Sequence, residues 1–200
     1  MNTEDVAAPR TDVAALLLTG GLSRRMGRDK TQLMAEGHTL AQRTGQILSR
    51  VVATAFEVGP GTSRLPAIHE TTFGQGPLVA IVAGRRALLD CAYRGDALVV
   101  ASDLPFVTDG LLRYLADVEA TFSVVPVVEG RPQPLCARWS GRDLDAAARW
   151  VSGGERSLRR LLDEPDVTWL DESHWGHVAS AHAFDDVDTR EDQERLGLNF

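Results

Sequence analysis

Residues 13–30 read VAALLLTGGLSRRMGRDK, and the change of character at Thr19 decides how the chain folds. Six consecutive apolar residues, Val13 to Leu18, are too uniform for a strand with one wet face, so they predict a strand buried on both sides. Gly20 and Gly21 follow at once. Lacking Cβ atoms, they can turn sharply and bring backbone N–H groups close to an oxyanion. Arg24, Arg25, Arg28 and Lys30 then set four positive charges in seven residues against one negative charge, from Asp29. In an open α/β sheet ligands bind beyond the carboxyl ends of the strands, and this loop starts at such an end. The alternative is a solvated basic turn between strand and helix. Lys30 is also the one lysine among 21 basic side chains. A compact ammonium at a tight phosphate contact is not freely replaced by the wider, planar guanidinium.

Working outward, Leu40, Ile47, Leu48 and Val51 fall on one face of a helix over 40–51. Strands are predicted at 52–58, where GPGTS supplies the turn, at 65–69 and, most clearly, at 97–101. Gly76-Pro77 opens a helix carrying Leu78, Ile81, Val82 and Leu88, with proline acceptable in the first turn. Thr108 can cap the next helix, with Leu111, Leu112, Leu115 and Val118 on its apolar side. Further strands are expected at 122–128, 134–139 and 166–170, helices near 142–151 and 156–163, and a short helix after Thr189. Strand and helix thus alternate from residue 13 to about 119, the pattern of a parallel sheet with helices on both faces. Residues 1–12 read as a flexible tail, with one domain over 13–200.

Composition narrows the classes of function. The 200 residues carry a net charge of −7 and 44% hydrophobic content. That suits one domain with a substantial core and argues against non-specific nucleic-acid binding, which needs a positive surface. A local basic cluster can still hold an anionic small molecule. No apolar run reaches the length of a membrane span or a signal segment, so a cytoplasmic location is expected. Cys91 and Cys136, 45 positions apart, suggest partly buried free thiols rather than a disulfide or zinc site. The five histidines show no metal-ligand spacing; His174 and His177 read as surface residues in a loop. Trp139, Trp150, Trp169 and Trp175 read as core or flank packing.

Two familiar phosphate loops do not fit. Gly21 and Gly27 enclose five residues and Arg28 follows, so the stretch is not a Walker A loop, and G-x-G-x-x-G is absent. Residues 18–30, L-T-G-G-L-S-R-R-M-G-R-D-K, resemble the nucleotidyltransferase loop L-A-G-G-x-S-x-R-M-G-x-D-K, differing only by Thr19 in place of alanine. The likeness continues through GPLVAI (76–81), SDLPFVT (102–108), RPQPLCA (131–137), GERSLRRLL (154–162) and DVDTRED (186–192). The chain resembles the molybdenum cofactor guanylyltransferases (molybdopterin-guanine dinucleotide synthases), within the glycosyltransferase-A-like nucleotidyltransferases. The resemblance implies one Rossmann-like, three-layer α/β domain of the nucleotide-diphospho-sugar transferase type. It also implies transfer of GMP from GTP to molybdenum-bearing molybdopterin, with magnesium as cofactor and molybdoenzyme apo-proteins or chaperones as partners. A CTP-dependent relative, another phosphorylated acceptor and a non-catalytic carrier of nucleotide or cofactor are the alternatives.

Carried over residue by residue, the resemblance implies nucleotide contacts from Leu18, Thr19, Gly20, Gly21 and Lys30, with Arg25 and Lys30 on the phosphates. Asp103, directly after the strand at 97–101, matches the family's magnesium-binding aspartate; on its residues alone it could equally serve an Asx turn before Pro105. Asp188 is the second metal candidate, while Asp186 and Asp188 also suit turns and helix caps. Arg156 could meet an anionic acceptor or pair with Glu155 or Asp163. Two positions depart from the pattern. An asparagine often found after the second strand aligns with Gly59, and where a nucleotide-contacting aspartate commonly precedes GPL the nearest acid is Glu70.

Overall fold

The computed structural model describes residues 8–20, 34–35, 37–69, 74–164, 166–187 and 189–197. Strand β1 (Arg10–Leu18) is central. It starts at Arg10, so residues 10–12, read above as part of a tail, belong to the sheet, where Arg10 pairs with Asp12 and with Asp117. On one side of β1 lies β4 (Val52–Val58) and beyond it β5 (Ala67–Ile68); on the other lies β6 (Asp96–Ala101), all parallel. A small antiparallel pair, β2 (Met34–Ala35) and β3 (His38–Thr39), precedes helix α1 and was not foreseen.

Past β6 the sheet becomes mixed. β7 (Ser123–Val128) and β9 (Cys136–Trp139) are antiparallel to one another, and β9 also runs antiparallel to β6. β8 (Arg131–Pro132) folds back on β7 as a short arm, and β10 (Val167–Leu170) closes the edge parallel to β7. The order is β10-β7-β9-β6-β1-β4-β5.

Helices cover both faces, which is why β1 reads as unbroken apolar sequence. Val13, Ala15 and Leu17 face a core formed with α1 (Leu40–Val51) and α3 (Asp109–Asp117). Ala14, Leu16 and Leu18 face the opposite core, formed with α2 (Pro77–Asp90), α4 (Gly141–Ser152) and α5 (Arg159–Leu162). Fully burying each such leucine is worth about 1.5–3 kcal/mol. Alternate residues of one strand therefore hold the two layers to the same sheet.

Capping sets the helix starts. Thr39 and Gln42 form a reciprocal capping box on α1, and the Thr108 hydroxyl accepts from the Leu111 N–H as expected for α3. The short α6 (Glu172–Trp175) and the 3₁₀ turn Ala181–Phe184 replace an expected loop. Their purpose is packing: Trp175 is fully buried, edge-on to Phe184, with its indole N–H on the Leu170 carbonyl. The final helix, α7 (Arg190–Arg195), starts at a Thr189–Asp192 capping box.

Candidate active site

Three strand ends meet on one rim. Leu18 is in register with Val58 on β4 and with Ala101 on β6. The Thr19 N–H donates to the Val58 carbonyl at 3.1 Å, and the Ser102 N–H donates to the Leu18 carbonyl at 3.0 Å. Thus Thr19–Gly20, Gly59 and Ser102–Asp103 leave the sheet side by side, at the ligand edge of a parallel α/β sheet. Asp103 is half-buried two residues beyond β6.

The C-terminal chain returns to this place. The Val187 N–H donates to the Asp103 carbonyl at 3.0 Å, which brings residues 185–187 to the end of β6. Asp103, Asp185 and Asp186 line a cleft of about 780 Å³ together with Glu129, Arg131 and Gln133 from the arm. That size suits a small-molecule ligand. Pro77, the first residue of α2, also lines the cleft, so the start of a 14-residue helix borders it. Gly76 reaches that start with φ +92, a conformation that calls for glycine. Sequence motifs had marked RPQPLCA as a unit without assigning roles; the fold shows that Arg131 and Gln133 belong to the cleft wall.

Of the residues expected to contact ligand, Leu18, Thr19, Gly20 and Asp103 therefore share one rim. Gly21, Arg25, Lys30, Glu70 and Asp188 lie outside the described residues. Arg156 is not paired with Asp163. Its guanidinium donates to the Gln75 side chain at 3.2 Å and to the carbonyls of Val151 and Glu155, tying the loop before α5 to the entry of α2.

Cys91 is exposed and Cys136 buried, correcting the expectation of two partly buried thiols. Cys136 borders the cleft, but burial pushes its pKa up to about 12, so it is a weak nucleophile there. His174 and His177 are exposed, as expected, with His174 held against Asp171. Trp139 is fully buried, its indole N–H on the Pro134 carbonyl, whereas Trp169 is 43% exposed and departs from the packing role expected of it.

Among the described residues no group of three or more His, Cys, Asp or Glu side chains could hold a metal alone. Asp103, Asp185 and Asp186 are the described aspartates of the cleft, and such oxygen donors suit a hard cation that also takes oxygens from substrate and water, as magnesium does, better than they suit zinc.

Residues 15–180 match the MobA-like NTP transferase domain. The chain belongs to the MobA-like NTP transferase family. Within it, the chain is 34% identical over 172 residues to a Mycobacterium tuberculosis protein named "Probable molybdenum cofactor guanylyltransferase", covering 82% of this chain and 85% of that one. A Bacillus cytotoxicus protein of the same name is 24% identical over 92% of this chain and 96% of its own. In three dimensions the fold is similar to molybdopterin-guanine dinucleotide biosynthesis protein A from Archaeoglobus fulgidus, with TM-score 0.74 and 23% identity over 91% of this chain and 95% of that one. A Methanothermobacter nucleotidyl transferase aligns with TM-score 0.71 at 17% identity over 94% and 96% of the two chains. As a MobA-like NTP transferase the chain is a nucleotidyltransferase, on a single α/β domain with a mostly parallel mixed sheet.

Proposed function

We propose that the protein transfers GMP from GTP to the terminal phosphate of molybdenum-bearing molybdopterin and releases pyrophosphate. The observation that carries this reading is the convergence on one rim of the β1 end that opens the glycine-rich loop, Asp103 after β6 and the returning 185–187 segment, with Asp103, Asp185 and Asp186 also lining the neighbouring cleft. The names of the curated relatives support the choice of guanine nucleotide and of acceptor.

In this mechanism the backbone of Leu18, Thr19, Gly20 and Gly21 holds the nucleotide, with Glu70 at its side. An oxygen of the acceptor phosphate attacks the α-phosphorus, and the bond from that phosphorus to the bridging β-phosphate oxygen breaks. The nucleophile is already anionic, so no protein base has to remove a proton. Catalysis is alignment and charge neutralisation. Arg25 and Lys30 hold the departing pyrophosphate. Asp103 and Asp188 would hold magnesium, which when bound supplies positive charge to phosphate oxygens. The arm with Arg131 and Gln133 faces the acceptor.

We assign one catalytic domain over 10–200, since its central strand starts at Arg10. Delivery of the product to molybdoenzyme apo-proteins or their chaperones follows as the next step of the proposal. A cytoplasmic site of action fits the absence, among the described residues, of any helix long and apolar enough to cross a membrane.

The test is incubation with molybdenum cofactor, magnesium and GTP, CTP or ATP in turn, with mass analysis of the product and a coupled assay for pyrophosphate. Guanine dinucleotide product and clear preference for GTP are expected. Equal or better product with CTP would move the assignment to cytidylyl transfer, and nucleotide binding without pyrophosphate release would make the protein a carrier.

A further inference from the structure

Glu57 is a charged residue buried inside the sheet. It stands in the apolar strand VATAFEV, yet its accessibility is 0%. A buried carboxylate is tolerable only when its oxygens are fully hydrogen-bonded, and these are. Oε1 accepts from the Thr19 hydroxyl at 2.6 Å, the Gly61 N–H at 2.8 Å and the Thr62 N–H at 2.9 Å. Oε2 accepts from both the N–H and the hydroxyl of Ser63, each at 2.6 Å. Burial raises the pKa of this carboxyl, but the hydrogen bonds from Ser63, Thr19 and the 62–63 backbone outweigh it and hold the group below its ordinary value.

The two ends of this arrangement differ. The 61–63 turn satisfies the charge from one side. On the other side a single hydroxyl, that of Thr19, joins the carboxylate to the strand end from which Gly20 begins the glycine-rich loop. The same hydroxyl controls its neighbour just after β4. A Cβ on Gly59 would stand 2.1 Å from Thr19 Oγ1 and 3.1 Å from the Gly20 nitrogen, and Gly59 has φ +153. Thr19 therefore excludes any side chain at residue 59. Two of the three positions where the sequence departs from its family's pattern, Thr19 and Gly59, meet in space as one feature. Residue 59 itself contributes only backbone: the Gly59 carbonyl lies 3.1 Å from His69 Nδ1, and the Gly59 N–H donates to the Ile68 carbonyl.

We propose that Thr19, clamped by Glu57, is a positioning residue for the nucleotide. The clamp sets the place of the Leu18–Gly20 backbone relative to the turn after β4, with the Thr19 hydroxyl filling the space that a side chain at residue 59 would take. This rests on reading that backbone as the nucleotide-binding edge. The effect is on ground-state binding, so it falls on the affinity and KM for nucleotide and spares kcat.

The experiment compares two hydrogen bonds to the same carboxylate. Thr19→Val keeps the shape and removes the donor, Thr19→Ser keeps the donor, and Ser63→Ala removes a donor on the far side of Glu57. Affinity for GTP with magnesium is read by calorimetry, KM and kcat by pyrophosphate release, and stability by Tm. Thr19→Val should raise Kd and KM for GTP about tenfold, the loss expected for one hydrogen bond to a charged group, with kcat within about twofold. Thr19→Ser should restore the parent values, and Ser63→Ala should lower Tm with GTP affinity retained. Should the valine variant fail to fold, Thr19→Ala carries the same expectation, since it removes the hydroxyl without placing a methyl against the carboxylate. Equal Tm losses in Thr19→Val and Ser63→Ala with unchanged GTP affinity in both would make the clamp structural only and overturn the proposal. A parent protein that binds no nucleoside triphosphate would instead overturn the nucleotide reading beneath it.

Discussion

The sheet has two unlike halves, divided at β6. On the β1, β4 and β5 side every strand is parallel, and successive carboxyl ends arrive at one rim through hydrogen bonds that leave little freedom: Thr19 to Val58, Ser102 to Leu18, Gly59 to Ile68. On the β7, β8 and β9 side the strands reverse, and the cleft wall is a hairpin arm bearing Glu129, Arg131 and Gln133. The first half offers ligands mainly backbone at strand ends; the second offers side chains. On the proposed reading these halves hold nucleotide and acceptor. A phosphate chain can be held by backbone under many side-chain patterns, whereas an acceptor is distinguished by the side chains of an arm that the core does not constrain.

The largest effect should come at the boundary, where Asp103 follows the strand both halves share. Asp103→Asn keeps size and one coordinating oxygen but removes the charge. It should lower kcat on the order of 10²–10³-fold, the scale of losing one preorganised electrostatic group, with GTP affinity by calorimetry changed only a few-fold. Unchanged pyrophosphate release in the folded variant would remove Asp103 from the mechanism.

A second, smaller effect should separate the halves. Lys30→Ala should reduce kcat/KM for GTP about tenfold to a hundredfold through loss of a charge-assisted contact, with Lys30→Arg recovering only part. Arg131→Ala should instead raise the KM for molybdopterin and leave that for GTP near the parent value. Steady-state kinetics with each substrate varied checks both. If Arg131→Ala raised the two KM values equally, the division between halves would fail.

The smallest effect concerns pH and the buried carboxylate. Because the Glu57 pKa is held below its ordinary value, the unfolded chain binds the proton more readily. The contribution is fully present above the unfolded value and is lost as pH falls through the folded one. Urea midpoints measured at neutral pH and at about pH 4 should show the parent losing stability. Thr19→Val, with one hydrogen bond fewer to the charged form, should lose less over that interval, by a few tenths of a kcal/mol at most. An identical loss in both would mean that Thr19 does not hold the charged form.

Several of these features were open to sequence reasoning because their causes are local. Val13–Leu18 announced a doubly covered strand by its unbroken apolarity, Thr108 announced a helix start by its hydroxyl, and Pro77 announced α2. The insertion of β9 between β6 and β7 was not legible. A four-residue buried strand carries no mark of its direction, which depends on what its two neighbours leave unpaired. Trp175 reads as packing from its size alone, and it is core; its partners Phe184 and Leu170 were not legible, because they come from separate stretches of chain. Glu57 did carry a signal: an acid inside an apolar strand, followed by a turn rich in N–H and hydroxyl donors.

By itself the sequence determined the fold class, the strand-to-loop junction at Thr19 and the family, because periodicity and motif spacing record the demands of the nearest few residues. Only the tertiary structure decided that Val187 returns to Asp103, that the arm closes the cleft, and that Thr19, 38 positions from Glu57, shares its carboxylate with the 61–63 turn. These contacts join distant stretches of chain whose separate patterns are satisfied equally well apart. What brings them together is the burial of two cores on one sheet, and the full hydrogen bonding that such burial demands of a carboxylate placed inside it.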